Sequence, residues 1–339
     1  SWSNDRTLRL WDGDGNPLTI LSEHTDRVLG AIELADGRLL SWSSDTTLRL
    51  WDGDGNLLAT LLGHELAVIK AIELADGRLL SWSYDTTPRL WDGDGSLLAA
   101  LSGHTKNMIG AIELANGRLL SWNGDSTLRL WDSAGNMLVT LSGNRGEVRR
   151  AIVLANGRIF SSDDSAMIRL WDADGNLLAT LSGHTAYVNG AISLTGDRLL
   201  SWSWDNTLRL WDADGNPITT LLGHKDRIWG AMELADGRLL SWSDDSTLRL
   251  WDANGAPLAT LLVQNYTVYS TITVFSAMEL ADGRILSWSS DGTLRIWQGY
   301  PNLHEYACTR VARDLTYNER VLYNIRDKNG NIDYSPTCP

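Results

Sequence analysis

Five of the six histidines, His24, His64, His104, His184 and His224, are spaced by 40 residues or a multiple of 40, with acids and tryptophans in step. Histidine is the side chain best suited to move protons or hold a metal near neutral pH, so the spacing raises both chemistries. A residue that returns once per repeat, however, fits a structural task better than a single reaction centre. The segments Asp52-Gly53-Asp54-Gly55-Asn56 and Asp92-Gly93-Asp94-Gly95-Ser96 have a calcium-loop composition. They lack the length and distal glutamate of an EF-hand, and a hairpin accounts for them. There is no Gly-rich phosphate loop, nucleophile elbow or Cys/His metal spacing. The sequence therefore points to a protein that is not an enzyme, with no catalytic residue, no metal ligand and no cofactor.

The elements that would position these residues follow from the repeat itself. Trp-Asp occurs at Trp11, Trp51, Trp91, Trp131, Trp171, Trp211 and Trp251, always 40 residues apart, and Trp297-Gln298 follows after 46. One unit holds four short apolar runs, at 28–34, 38–43, 47–52 and 57–62. Ala35-Asp36-Gly37 separates the first two and Gly53-Asp54-Gly55-Asn56 the last two, both with hairpin chemistry. Four strands, a to d, in a repeating meander describe a propeller blade. One blade cannot bury both faces, so the repeats must stack and close.

Gly-His at the start of the unit, Asp in the b–c turn and Trp-Asp at the end of strand c make residues 1–298 resemble the WD-repeat (WD40) family. The fold class implied is all-β, a closed WD-repeat β-propeller of four-stranded antiparallel blades. Eight blades are preferred over seven; in the seven-blade reading, strand d near Pro17–Leu21 completes the last blade and residues 1–12 are surplus. The resemblance also implies a hydrogen-bonded set inside each blade. His64, Ser81, Asp85 and Trp91 form one such structural network, and His224, Ser241, Asp245 and Trp251 another. Buried indole and imidazole nitrogens need partners, which gives the set a physical reason. The unit 143–182 departs from it: Asn144 replaces His, Ser162 the second Trp and Ser165 the Asp, with Asp164 one position early. That loss reads as a network given up as a whole, in the least rigid blade.

Variation among the copies is uneven. The a–b and c–d turns hardly change, whereas the d–a connection and the residue before the network Asp differ from unit to unit. In a four-strand meander these variable segments share one rim of the disc, which marks that rim as the binding face; relaxed constraint on loops is the plain alternative. Of the 17 tryptophans, only Trp204 and Trp229 fall outside the strand-b and strand-c positions. The other fifteen read as fold residues. Trp204, Trp229, Tyr187, Tyr84 and Asp244 are thus the candidate partner-binding residues, with coverage of each blade's own edge as the alternative. The last repeat carries a six-residue insertion, and its segment 265–280, with Tyr266, Tyr269 and Phe275, extends strand a or distorts it.

Residues 299–339 leave the repeat. Leu303–Arg313 and Thr316–Asn324 read as short helices, the second opened by a capping box. This ending resembles the tail of large bacterial, often cyanobacterial, WD-repeat proteins, which implies a sensor or scaffold part of a larger chain. It also fits a clasp packed on the propeller. Beginning at Ser1 inside a repeat, the sequence reads as a fragment or processed product.

The net charge of −13 disfavours binding to a phosphate backbone, so no nucleic-acid partner is expected. No apolar stretch is long enough for a spanning helix, and no membrane partner is expected. The two cysteines, Cys308 and Cys338, lie outside the repeats, so the composition fits a reducing cytoplasm, though their pairing stays open. The leading functional expectation is a scaffold that binds a protein or peptide partner through the rim. The alternative is a small-ligand or glycan-binding propeller.

Overall fold

The computed structural model describes residues 1–154, 156–263 and 272–297. Every regular element among them is a β-strand, and the strands form eight antiparallel sheets. The second sheet shows the pattern: Val28–Glu33 (a), Leu39–Ser43 (b), Leu48–Trp51 (c) and Leu57–Leu61 (d), paired in chain order. Five further sheets, at 68–100, 108–141, 148–181, 188–221 and 228–262, repeat it. The first sheet has two strands, Leu8–Trp11 and Pro17–Leu21, and the eighth has three, Val274–Glu279, Ile285–Ser289 and Leu294–Trp297. The call of short helices in the tail lies outside the described residues, as do Tyr266, Tyr269 and the pair Cys308 and Cys338.

The burial gradient across a sheet follows the composition of its strands. Strand b, Leu-Leu-Ser-Trp-Ser in most copies, is covered on both faces, as an uninterrupted apolar run should be. Strand d is the open edge, exposed at its start, and begins with Pro17, Pro217 and Pro257 in three sheets, where a missing N–H costs nothing. Several neighbouring sheets pack through one recurring contact. Leu34, Leu40, Leu48 and Leu50 of one sheet bury Val68, Leu79 and Trp91 of the next. The strand-c tryptophan is thus a tenon between sheets as well as a strand residue. Trp2, Trp11 and Trp288, in the two sheets with fewer than four strands, are exposed. The repeat-position tryptophans are therefore not equally covered.

One feature was not visible in the repeat pattern. In each of seven sheets the a–b ladder shifts register in strand a, as between Val188 and Gly190 or between Ile228 and Gly230. Strand a therefore carries a bulge with one extra residue: Leu29, Ile69, Ile109, Arg149, Asn189, Trp229 or Phe275. A bulge re-aims the extra side chain out of the ladder. The residue after it is often glycine because the strand-b indole lies across it; a Cβ on Gly230 would sit 2.2 Å from Trp242 Cζ2.

The chain divides into two compact units. One comprises residues 1–153, 157–164 and 169–178; the other comprises 154–156, 165–168 and the chain from Ala179 onward.

Candidate functional site

The repeated polar set is built around one strand-b serine. In the sheet at 68–100, Trp91 Nε1 donates to Ser81 Oγ at 2.9 Å, His64 Nε2 meets the same oxygen at 2.8 Å, and His64 Nδ1 meets Asp85 Oδ2 at 2.7 Å. In the sheet at 228–262, Trp251, Ser241, His224 and Asp245 repeat the geometry at 2.9, 2.8 and 2.9 Å. The hydrogens can be assigned by counting. Ser81 Oγ accepts the indole N–H, so its single hydroxyl proton goes to His64 Nε2, and Nδ1–H donates to Asp85. A neutral imidazole satisfies the indole, the serine and the aspartate together. Burial holds His64 and His224 below the usual histidine range, and burial with the Arg129 guanidinium brings His104 down to about 4. Burial pushes the Asp85 and Asp245 carboxyls up, but the histidine and backbone hydrogen bonds outweigh it and hold both at about 2. Such a pair is locked in one protonation state near neutral pH, which suits a clasp rather than a proton shuttle.

The aspartate ties two connections together. Asp245 Oδ2 accepts the N–H of Lys225 in the d–a connection at 2.8 Å, while its Oδ1 accepts Thr247 N at 3.0 Å and Thr247 Oγ1 at 2.6 Å in the b–c turn. The second strand-b serine adds a brace: Ser243 Oγ donates to Asp226 O and accepts from Asp245 N, both at 3.0 Å. The d–a and b–c loops of each complete set are therefore clamped to each other from below. A further member is the strand-c arginine, absent from the sequence reading although it recurs before every Leu-Trp or Ile-Trp. Arg89 Nη1 reaches Asp85 Oδ2 at 2.7 Å and Arg129 Nη1 reaches Asp125 Oδ2 at 3.0 Å.

The sheet at 148–181 corrects an expectation. Its network is rebuilt rather than given up. Asp163, at the second-serine position and fully buried, accepts Arg145 N at 3.0 Å and Arg169 Nη1 at 2.6 Å. Asn144 Oδ1 accepts from Arg169 Nη1 at 2.9 Å, and Trp171 still donates to Ser161 at 2.9 Å. Two residues upstream of the usual position, the acid keeps the arginine contact and the d–a backbone contact of the other sets, and Asn144 takes the place of the histidine beside the arginine. Asp164, the nearest acid in the sequence reading, instead pairs on the surface with Arg149 at 2.7 Å.

Above the clamped loops of the second unit, four of the five candidate residues form a connected group. Tyr187 and Trp204 meet edge to face at 4.9 Å between centroids, and the Arg227 guanidinium lies 4.5 Å from the Trp204 centroid. Trp229, on the bulge, donates its indole N–H to Asp244 Oδ1 at 2.7 Å, and Thr273 Oγ1 donates to the same oxygen at 2.7 Å. Arg227 links the two halves, because its carbonyl accepts Asp244 N at 3.0 Å while its side chain covers Trp204. Trp204 and Trp229 each keep 37% of their surface exposed. Tyr84 belongs to the chain's other unit, at an equivalent turn, and is 47% exposed. At each of these turns the residue before the network Asp is fixed by its backbone: Trp204 N donates to Tyr187 O at 2.9 Å and Tyr84 N to Ala67 O at 3.3 Å. Its side chain is left free to differ. The sequence signal for Arg227 and Thr273 was weak, since neither is aromatic.

The c–d turns have a closed chemistry of their own. Asp52 Oδ1 accepts the N–H groups of Asp54 and Asn56 at 3.0 and 2.8 Å, and Asp52 Oδ2 accepts Asn56 Nδ2 at 2.8 Å. Their aspartates are spent on the turn.

Comparison with known proteins places this geometry. The family model described as "WD domain, G-beta repeat" matches residues 15–52, 175–212 and 215–252. The chain carries WD40 repeats at these three positions, and its repeated antiparallel sheets are consistent with a WD-repeat propeller. A crystal structure of the computationally designed Ika8 protein aligns with a TM-score of 0.67 at 24% identity, covering 87% of this chain and 91% of that one. That likeness speaks for the fold alone. No curated protein sequence matches this one.

Proposed function

We propose that the chain is a non-catalytic interaction scaffold that binds a protein or peptide partner through the d–a/b–c rim, with Trp204 and Trp229 as anchors. WD40 domains generally mediate protein interactions, and the repeats supply that starting point. The observation that carries the specific reading is the Tyr187–Trp204–Arg227 stack joined to the Trp229–Asp244–Thr273 bonds, two half-exposed indoles held in fixed orientations. Partly buried Trp and Arg side chains are the residues that dominate interface energetics. Pre-organisation through the clamped loops lowers the ordering cost on binding. Asp244 acts mainly by orienting Trp229, and Tyr84 offers a contact of the same kind in the other unit. The reading includes the closed, eight-blade arrangement expected from the repeat count. It also includes a cytoplasmic setting within a larger bacterial protein, drawn from the cysteine usage and the tail.

A photo-crosslinking amino acid placed at position 204, and separately at position 214 in the opposite c–d turn, tests the rim. The proposal expects a discrete polypeptide adduct from 204 and none from 214. Equal adducts at both positions, or retention of a glycan resin that Trp204→Ala abolishes while polypeptide adducts stay absent, would contradict it.

A further inference from the structure

Arg227 is exposed and immediately precedes strand a of the sheet at 228–262. Its guanidinium rests 4.5 Å from the Trp204 centroid, and Tyr187 meets the same indole edge to face at 4.9 Å. Among the described residues it is the one cation that lies over an aromatic ring. The stack exists because of Trp204. Arg27 has the same place in the sheet at 28–61, but there the residue at the Trp204 position is Asn4, and no ring lies beneath the guanidinium. Stacking covers one face of a guanidinium and leaves its N–H edge for an acceptor. For Arg227 no acceptor is supplied: its side chain makes no hydrogen bond or ion pair among the described residues. The acids beside it are spent elsewhere. Asp226 Oδ1 accepts the backbone N–H of Arg227 at 2.8 Å, and Asp244 Oδ1 takes Trp229 Nε1 and Thr273 Oγ1, both at 2.7 Å. An unpaired guanidinium fits a planar carboxylate, which takes two N–H bonds at once. The same two aspartates weigh against a doubly charged phosphate, which they would repel more strongly. Trp229 is two residues from Arg227, with buried Ile228 between them, so about 6–7 Å of strand separates the two. Its indole N–H is taken by Asp244, so the ring surface it exposes is apolar.

We infer that the rim recognises a polypeptide segment in which a carboxylate, met by Arg227, stands one or two residues from an apolar side chain packed on Trp229. The inference rests on the rim reading and names the chemistry of its partner. Random heptapeptides displayed on phage and selected on the full chain test both. The wild-type chain should enrich peptides with Asp or Glu one or two positions from an aliphatic or aromatic residue, against the bias of an acidic protein toward basic peptides. Arg227→Glu should select Lys or Arg in place of the acid. Calorimetry with the most enriched peptide then forms a double-mutant cycle. Arg227→Gln in the chain, or Glu→Gln (Asp→Asn) in the peptide, should each weaken binding by about tenfold or more. The two changes together should cost little more than either alone, because they remove the same contact. Arg227 is exposed, so its variants should keep the wild-type melting temperature. Capture that survives Trp204→Ala would defeat the rim reading and this inference with it, as would the absence of any enrichment. Capture lost in Trp204→Ala but unchanged in Arg227→Gln, or enriched peptides without an acid, would overturn this inference alone. Tighter binding when phosphoserine replaces the peptide's acid would overturn the carboxylate assignment.

Discussion

At the scale of single residues, the polar sets make stability a function of pH with a definite sign. His104 has its folded value lowered to about 4, so above the ordinary histidine value of about 6.5 it is neutral in both states and its contribution is complete. Between those values the unfolded chain takes up a proton that the folded chain refuses, and stability falls as pH falls. His64 and His224 are shifted in the same direction and add to this first loss. The aspartates act lower down. Asp85 and Asp245, held at about 2, contribute fully above the ordinary carboxylate value of about 3.9 and lose that contribution as pH drops toward 2. Urea melts from pH 7.5 to 2.5 should therefore show a first decline between about 6.5 and 4 and a second below 4. His104→Gln should flatten the first. A second residue-level prediction concerns the rebuilt set. Asp163 and Arg169 are both buried, and removing one partner of a buried pair costs about 3–5 kcal/mol. Asp163→Ala should lower the urea midpoint accordingly, whereas Asp164→Ala, at an exposed pair, should shift it by less than about 1 kcal/mol.

At the scale of elements, the b–c turn stores strain at the rim. Thr46 and Thr86 follow their network Asp with φ of +72° and +71°, a left-handed conformation that a β-branched residue disfavours. The equivalent position is Asn206 in one sheet and Gly292 in another, the two residue types that tolerate it. Thr86→Asn should stabilise the chain by about 1 kcal/mol, read as a higher melting temperature. Much of this scale was legible in the sequence: the 40-residue spacing and its turn residues give strand order and turn chemistry, and the resemblance to WD repeats implies the His–Ser–Asp–Trp set. What escaped has a common cause. The bulge that projects Trp229 and Phe275 follows from ladder register, and a four-run hydrophobic pattern carries no record of where one extra residue is absorbed. The role of Asp163 was missed because its position normally holds a serine that bonds the same loop. Aligning by residue type found the nearer acid, Asp164, whereas geometry selects the one aimed inward. Arg89 and its equivalents were in plain view as repeats, but a charged residue in strand c reads as solvent-facing until its carboxylate partner is placed.

At the scale of the whole molecule, 42 acidic against 29 basic residues leave the chain self-repelling, with its formal charge of −13. Repulsion of that kind destabilises the folded state and is screened by salt. Raising sodium chloride from 10 to about 150 mM, which shortens the Debye length to about 8 Å, should therefore raise the melting temperature at pH 7.5. Among the described residues no helix is long and apolar enough to cross a membrane. The central claim is that Trp204 and Trp229 anchor a protein partner on loops clamped from beneath. It is tested most directly by calorimetry with the polypeptide captured at position 204, comparing the wild-type chain with the Trp204→Ala/Trp229→Ala double variant. The account predicts a loss of affinity of about 100-fold or more, from hot-spot contributions of about 2 kcal/mol each, with the melting temperature nearly unchanged. Equal affinity of the two proteins would contradict it.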